Sequence, residues 1–220
     1  MSVVAADRAA LVARTATSAV CDALVKRGLR HQFMKQRVRQ LGALRVAGPA
    51  LTIERVPLPL VPAESRMPNS AMLEAIHGAA PGTVLVFNDP HDEAALFGGL
   101  MAAAAVQRSL GGIVADGPVR DPAEIIEVGC PCFCTGSVAA GQAGILALKS
   151  IGEALECGGV RVSPGDFLLG DTSGVVVIPQ AVVDEVLNAA VEIEDGDQAA
   201  LRSIREGRDF LEAMRALGRA

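Results

Sequence analysis

Neither tryptophan nor tyrosine occurs in this 220-residue chain, and six phenylalanines are its whole complement of large aromatic side chains. A surface that holds nucleic acid by stacking bases needs aromatic platforms beside a basic groove. Charge argues the same way. Twenty Lys and Arg against 25 Asp and Glu leave a net charge of −5, and the basic residues form no continuous stripe that would neutralise phosphates. One basic cluster, Lys26, Arg27, Arg30, His31, Lys35, Arg37 and Arg39, has only Phe33 beside it and reads as a solvated face or a subunit contact. No nucleic-acid partner is expected.

Long apolar runs are missing as well. The longest, such as residues 174–183, contain proline or glycine and fall short of the roughly 20 residues that a membrane span requires. Residues 1–14 set Asp7, Arg8 and Arg14 among alanines and valines, without the apolar stretch of a secretory signal. The expectation is a cytoplasmic protein with no membrane partner. Five cysteines, an odd number, speak against a disulfide framework. Cys130, Cys132 and Cys134 alternate within Cys130-Pro131-Cys132-Phe133-Cys134. Structural zinc sites pair a CxxC-type knuckle with a second ligand pair, and Cys21 and Cys157 do not form one, so the three cysteines read as core positions on one side of a strand. GxGxxG, Walker and GxSxG sequences are absent, which removes dinucleotide, nucleoside triphosphate and serine-hydrolase readings. His31, His77 and His91 have neither metal-ligand nor triad spacing; His77 sits where it favours a helix C-terminus.

What remains is half apolar and long enough for a single domain spanning residues 1–220. Residues 5–26 carry a helical pattern that stops at Gly28. Residues 46–60 are β-rich but interrupted at Gly48-Pro49, residues 63–69 form a polar loop, and Pro68-Asn69-Ser70 starts a helix that ends near His77 with Gly78 as its cap. A βαβ pattern follows: strand 83–87, alanine-rich helix 99–108, strand 111–115. Next come a helix at 122–128, a strand at 132–135, strands at 160–162 and 167–169, and a strand at 175–178 closed by Pro179. Residues 182–214 read as a charged helix with a break near Gly196 or Gly207.

Two constellations can carry chemistry. Gly98 and Gly99 open a helix, so the backbone N–H groups of that turn are unobstructed and the helix end carries partial positive charge suited to a carboxylate or phosphate. A tight connection into the helix is the plainer account of the same two glycines. The second constellation, Asp116-Gly117-Pro118-Val119-Arg120-Asp121-Pro122-Ala123-Glu124, lies at the carboxyl end of a strand, where open α/β sheets bind ligands. Arg120 offers a planar fork for a carboxylate or an enolate oxygen, and Asp121 offers oxygen to a divalent cation. Helix capping explains Asp121 and Glu124 about as well, because Asp-Pro-x-Glu is also a helix start. It does not explain Arg120, since a cation beside a helix N-terminus is disfavoured without an anionic partner.

Gly99, twenty intervening residues, Arg120-Asp121, two more residues and Glu124 together resemble the signature of the regulator of ribonuclease activity A-like family, which includes the 4-hydroxy-4-methyl-2-oxoglutarate aldolases. Gly159-Val160 with Pro164-Gly165-Asp166, and Asp171 with residues 174–179, extend the likeness across most of the chain. The resemblance implies a swivelling β/β/α-type fold that forms homotrimers or homohexamers, with the C-terminal helix from about residue 181 packing on a neighbouring subunit. It implies that the amides of Leu100 and Met101, beside Gly99, bind the carboxylate of a small 2-keto acid, that Arg120 holds its keto oxygen, and that Asp121 anchors Mg²⁺ or Mn²⁺ with no organic cofactor. Asn69 falls where the family lines its site, and a neighbouring subunit's acid would fall near Glu194 or Asp197.

The activity implied is a metal-dependent lyase, a class II pyruvate aldolase or an oxaloacetate decarboxylase. The aldolases proper resemble this chain except that they carry an acid at the position of Gly99, which favours decarboxylation here. The alternative is a non-catalytic protein that binds and regulates a ribonuclease. A methyltransferase is set aside, because no glycine-rich loop follows the first strand.

Overall fold

Twelve residues, Val46–Pro57, form the longest strand of the described chain, and three other strands of the main sheet pair directly with it. The computed structural model describes residues 3–88 and 92–218. The chain divides into two units, residues 31–181 and residues 1–30 with 182–220; His91 lies outside the described residues.

In the larger unit the strands are β1 (Arg39–Leu41), β2 (Val46–Pro57), β3 (Val84–Asn88), β4 (Gly112–Asp116), β5 (Pro118–Val119), β6 (Cys132–Cys134), β7 (Gly136–Ser137), β8 (Leu146–Ile151), β9 (Leu155–Cys157), β10 (Val160–Val162), β11 (Phe167–Asp171) and β12 (Gly174–Ile178). The main sheet is mixed and eight-stranded, in the order β1-β6-β4-β3-β2-β11-β12, with β8 also on β2. Strands β2, β3, β4 and β6 are mutually parallel. Parallel neighbours need crossover connections, and α-helices supply them, numbered here after the two N-terminal ones: α3 (Asn69–Gly78), α4 (Gly99–Gln107) and α5 (Pro122–Glu127).

Alternation along the strands builds two cores. Leu85, Phe87, Ile113, Cys132 and Cys134 face Met72, Ile76, Ala102, Ala105 and Ile125 of the three helices. Val84, Val86, Val114 and Phe133 face the other way, toward Leu168, Val175 and Val177 and the β9–β10 hairpin. Cys132 and Cys134 are therefore core residues of β6, and Cys130 just before the strand is buried with them. The interruption predicted at Gly48-Pro49 does not occur. Gly48 adopts φ +153° with its position for a Cβ only 1.8 Å from the Gly82 oxygen, so the strand runs through where any side chain would collide. The strands β8 and β9 were not legible, because Lys149 and Ser150 in the first and Glu156 in the second break their apolar pattern.

The smaller unit holds α1 (Val3–Arg14), α2 (Thr17–Lys26), α6 (Val183–Arg205) and α7 (Phe210–Ala216). The single helix predicted over residues 5–26 is two. Helix α1 ends at Arg14 and Ala16 is extended at φ −90°, ψ 155°; the buried Thr15 between them donates its hydroxyl to the Leu11 carbonyl at 3.2 Å. Val20, Ala23 and Leu24 of α2 and Val186, Leu187 and Ala190 of α6 are buried where these helices pack. Helix α6 runs unbroken through Gly196, and the chain turns at Gly207, φ +95°. Exposed ion pairs, Arg8–Asp184, Arg14–Asp195 and Arg27–Glu185, tie the N-terminal segment to α6. Among the described residues no helix is long and apolar enough to cross a membrane.

Candidate active site

Beyond the carboxyl ends of β3, β4 and β6, three chain segments are laced together by backbone hydrogen bonds. Leu96 N–H donates to Pro118 O and Arg120 N–H to Phe97 O, both at 2.9 Å; Ala95 N–H donates to Ala140 O and Val138 N–H to Val119 O, also at 2.9 Å. These bonds fix residues 95–98, 118–120 and 138–141 side by side, at the end of the sheet where ligands of α/β proteins bind. They frame a cavity of about 240 Å³, lined by Asn69, Phe97, Leu100, Met101, Arg120 and Gln142 among others.

Arg120 is held between two glycines. A Cβ on Gly98 would lie 2.9 Å from Arg120 Cγ and 3.0 Å from its Nε, and one on Gly141 would lie 3.1 Å from its Nη1. Both glycines are thus clearance for the guanidinium, which remains about half exposed at 48%. The anion cradle at the start of α4 is only partly free. Gly99 N–H donates to Asp121 Oδ2 at 3.3 Å, while the helical ladder begins with Ala102 N–H on Gly98 O at 3.0 Å. Leu100 and Met101 occupy first-turn positions, whose amides have no intrahelical carbonyl to bond.

Asp121 stands at the N-cap position of α5, yet its side chain makes no capping bond there. Its carboxylate turns instead to Gly99 and to Arg120 Nε, 3.4 Å away, and its backbone is left-handed at φ 56°, ψ 48°, a conformation uncommon for a residue with a side chain. The capping account of Asp121 fails on this geometry. Glu124 reaches the same place: a Cβ on Gly99 would fall 2.0 Å from Glu124 Oε2. Two carboxylates of α5 therefore converge on Gly99. Among the described residues no group of three His, Cys, Asp or Glu is placed to hold a metal. A hard cation that keeps most of its water and takes one or two carboxylates fits this donor set, as Mg²⁺ does; a closed zinc site does not.

Asn69, the first residue of α3, lines the cavity and its Oδ1 accepts a hydrogen bond from Arg55 Nη2 at 3.1 Å. Arg55 did not stand out in the sequence. It is fully buried at 0%, and loss of solvent pushes its guanidinium down to about 10, so it remains a cation at neutral pH. Glu194 and Asp197 lie on α6, in the other unit; Glu194 accepts from Gln198 of the same helix at 2.9 Å. Every residue lining the cavity belongs to the larger unit. Two of the buried thiols are poor nucleophiles: burial pushes Cys130 up to about 12 and Cys157 well above the usual thiol range.

Comparison with known proteins gives consistent relatives. A family model described as RraA-like, aldolase/RraA, matches residues 17–177. A protein of Halalkalibacterium halodurans, provisionally named 4-hydroxy-4-methyl-2-oxoglutarate aldolase, is 32% identical over 77% of this chain and 78% of its own length. In fold, the chain is similar to a crystal structure of an uncharacterized protein from Pseudomonas syringae pv. tomato, with a TM-score of 0.83 at 24% identity over 94% of this chain and 93% of that one. It is also similar to Streptomyces coelicolor RraAS2, described as an unusual member of the RNase ES inhibitor RraA family, with a TM-score of 0.78 at 24% identity over 88% and 96% of the two chains.

Proposed function

Because this chain belongs to the RraA-like, aldolase/RraA family, we propose that it is a divalent-metal-dependent lyase that cleaves a carbon–carbon bond of a 2-keto dicarboxylic acid and releases pyruvate. The observation that carries the proposal is the convergence of the Arg120 fork and the first turn of α4 on one cavity. The 1-carboxylate sits on the amides of Leu100 and Met101, where the helix end favours an anion. Arg120 then donates to the 2-keto oxygen, the atom on which negative charge grows as the bond breaks. With oxaloacetate, the C3–C4 bond breaks, C4 departs as carbon dioxide, and the electron pair passes onto C3 and the keto oxygen as an enolate. A proton taken up at C3 completes pyruvate. Asp121, with Glu124 beside it, would hold Mg²⁺ or Mn²⁺, which when bound supplies Lewis-acid polarisation of the keto oxygen.

Decarboxylation suits the site better than aldol cleavage. Retro-aldol cleavage must take a proton from the 4-hydroxyl, and position 99 is a glycine against which Glu124 is already packed. Assembly as a homotrimer or homohexamer in the cytoplasm, with Glu194 or Asp197 of a neighbouring subunit completing the site, belongs to the same proposal. The test is release of pyruvate from oxaloacetate, and from 4-hydroxy-4-methyl-2-oxoglutarate, above the rate with metal alone. Absence of pyruvate with both substrates would leave the ribonuclease-binding reading in its place.

A further inference from the structure

Arg55 is a cation in the interior of the larger unit with no counter-ion among the described residues. It lies on β2, on the inward-facing side shared with Ile53, and packs against α3. Its Nη2 reaches Asn69 Oδ1 at 3.1 Å and Met72 Sδ at 3.2 Å, while Nε and Nη1 are buried without a hydrogen-bond partner among the described residues. No ion pair to a described carboxylate accompanies it, and desolvation is the sole cause that shifts its titration. Burying an uncompensated charge is costly even after the surroundings relax, and apolar packing would fill the same space without that cost. Stability therefore does not account for an arginine here.

The geometry of Asn69 suggests what does. A guanidinium has donors and no acceptor, so the amide oxygen of Asn69 is the end that must face Arg55. The NH₂ end is then the one left for the cavity that Asn69 lines. A cation on the oxygen also polarises the amide and strengthens its N–H donors. Arg120 and the amides of Leu100 and Met101 are already assigned to the keto oxygen and the 1-carboxylate, so Asn69 adds a donor those groups leave unused. From this we infer that Arg55 is a positioning residue, which locks the Asn69 carboxamide with its NH₂ group toward the ligand and thereby selects substrates bearing a second carboxylate. The inference rests on the lyase reading for the identity of the ligand, but not for the existence of the preference.

Calorimetric titration with pyruvate and with malate, an unreactive dicarboxylate, in the presence of Mg²⁺ separates the possibilities, with thermal unfolding measured alongside. Wild type is expected to prefer malate. Arg55→Met should lose about 10- to 100-fold in malate affinity, the worth of a hydrogen bond to a charged group, hold pyruvate as before, and unfold at the same or a higher temperature. Asn69→Asp supplies Arg55 with a counter-ion and turns a donor into an anion, so it should gain thermal stability and lose the malate preference entirely; it also serves if Arg55→Met does not fold. A wild type without malate preference, an Arg55→Met protein that binds both ligands as wild type does, or one that loses both together with its stability would overturn the inference. Malate preference without pyruvate release from oxaloacetate would sink the lyase reading and leave this one standing. Pyruvate release without malate preference would do the reverse.

Discussion

Arg120 depends on what is missing around it. Its side chain passes Gly98 and ends against Gly141, and those glycines are as much a part of the site as the guanidinium. Gly141→Ala places a methyl group 3.1 Å from Nη1, closer than comfortable van der Waals contact. It should lower pyruvate release from oxaloacetate by about tenfold, since misplacing a catalytic group by an ångström can cost that much or more, with little change in thermal stability; an unaltered rate would show that the fork is not positioned by this contact. Arg120 was legible in the sequence because a cation beside a helix start demands an anionic partner, and Asp121 only tied with capping until its side chain was seen to turn away from α5. Arg55 was not legible. It is a charged residue in a β-rich stretch next to Glu54, and only the structure separates the two: Glu54 pairs with Lys149, and Arg55 is buried as Ile53 is.

Among elements, α4 and α5 must be considered together, because the start of one is occupied by carboxylates of the other. Gly99→Ala sets a Cβ 2.0 Å from Glu124 Oε2 and forces that side chain out. The expected result is a weaker apparent affinity for Mg²⁺ in a metal titration of activity; an unchanged affinity would remove Glu124 from the cation's surroundings. Strand β6 carries a different expectation. Cys130, Cys132 and Cys134 are buried, as is Cys157, while Cys21 on α2 is only half-buried. Alkylation of the native protein followed by mass spectrometry should label Cys21 before any other cysteine, and early labelling within residues 130–134 would contradict a core role. The helices of the larger unit and strands β3 and β4 were legible because their apolar patterns are unbroken, whereas Gly48-Pro49 hid the continuity of β2. The break at Ala16 and the strand β8 were not legible, because no Gly or Pro marks the extended backbone at Ala16 and tertiary pairing with β2 decides β8.

At the scale of the whole molecule, a chain of net charge −5 is proposed to bind a dianion, so attraction has to be local. Arg120, the first-turn amides of α4 and the amide of Asn69, which Arg55 holds, supply it around one cavity. The family and its fold were legible from a spaced motif whose members, Gly99, Arg120, Asp121 and Glu124, are brought into one neighbourhood by the crossover from β3 through α4 to β4 and α5. The most direct measurement is pyruvate release from oxaloacetate with Mg²⁺, by wild type and by Arg120→Ala. A metal-dependent rate above that of metal alone, falling on the order of 10²- to 10³-fold in the variant and not restored by Arg120→Lys, which lacks the fork, is the predicted result. No release above metal alone, or an equal rate in Arg120→Ala, would contradict it.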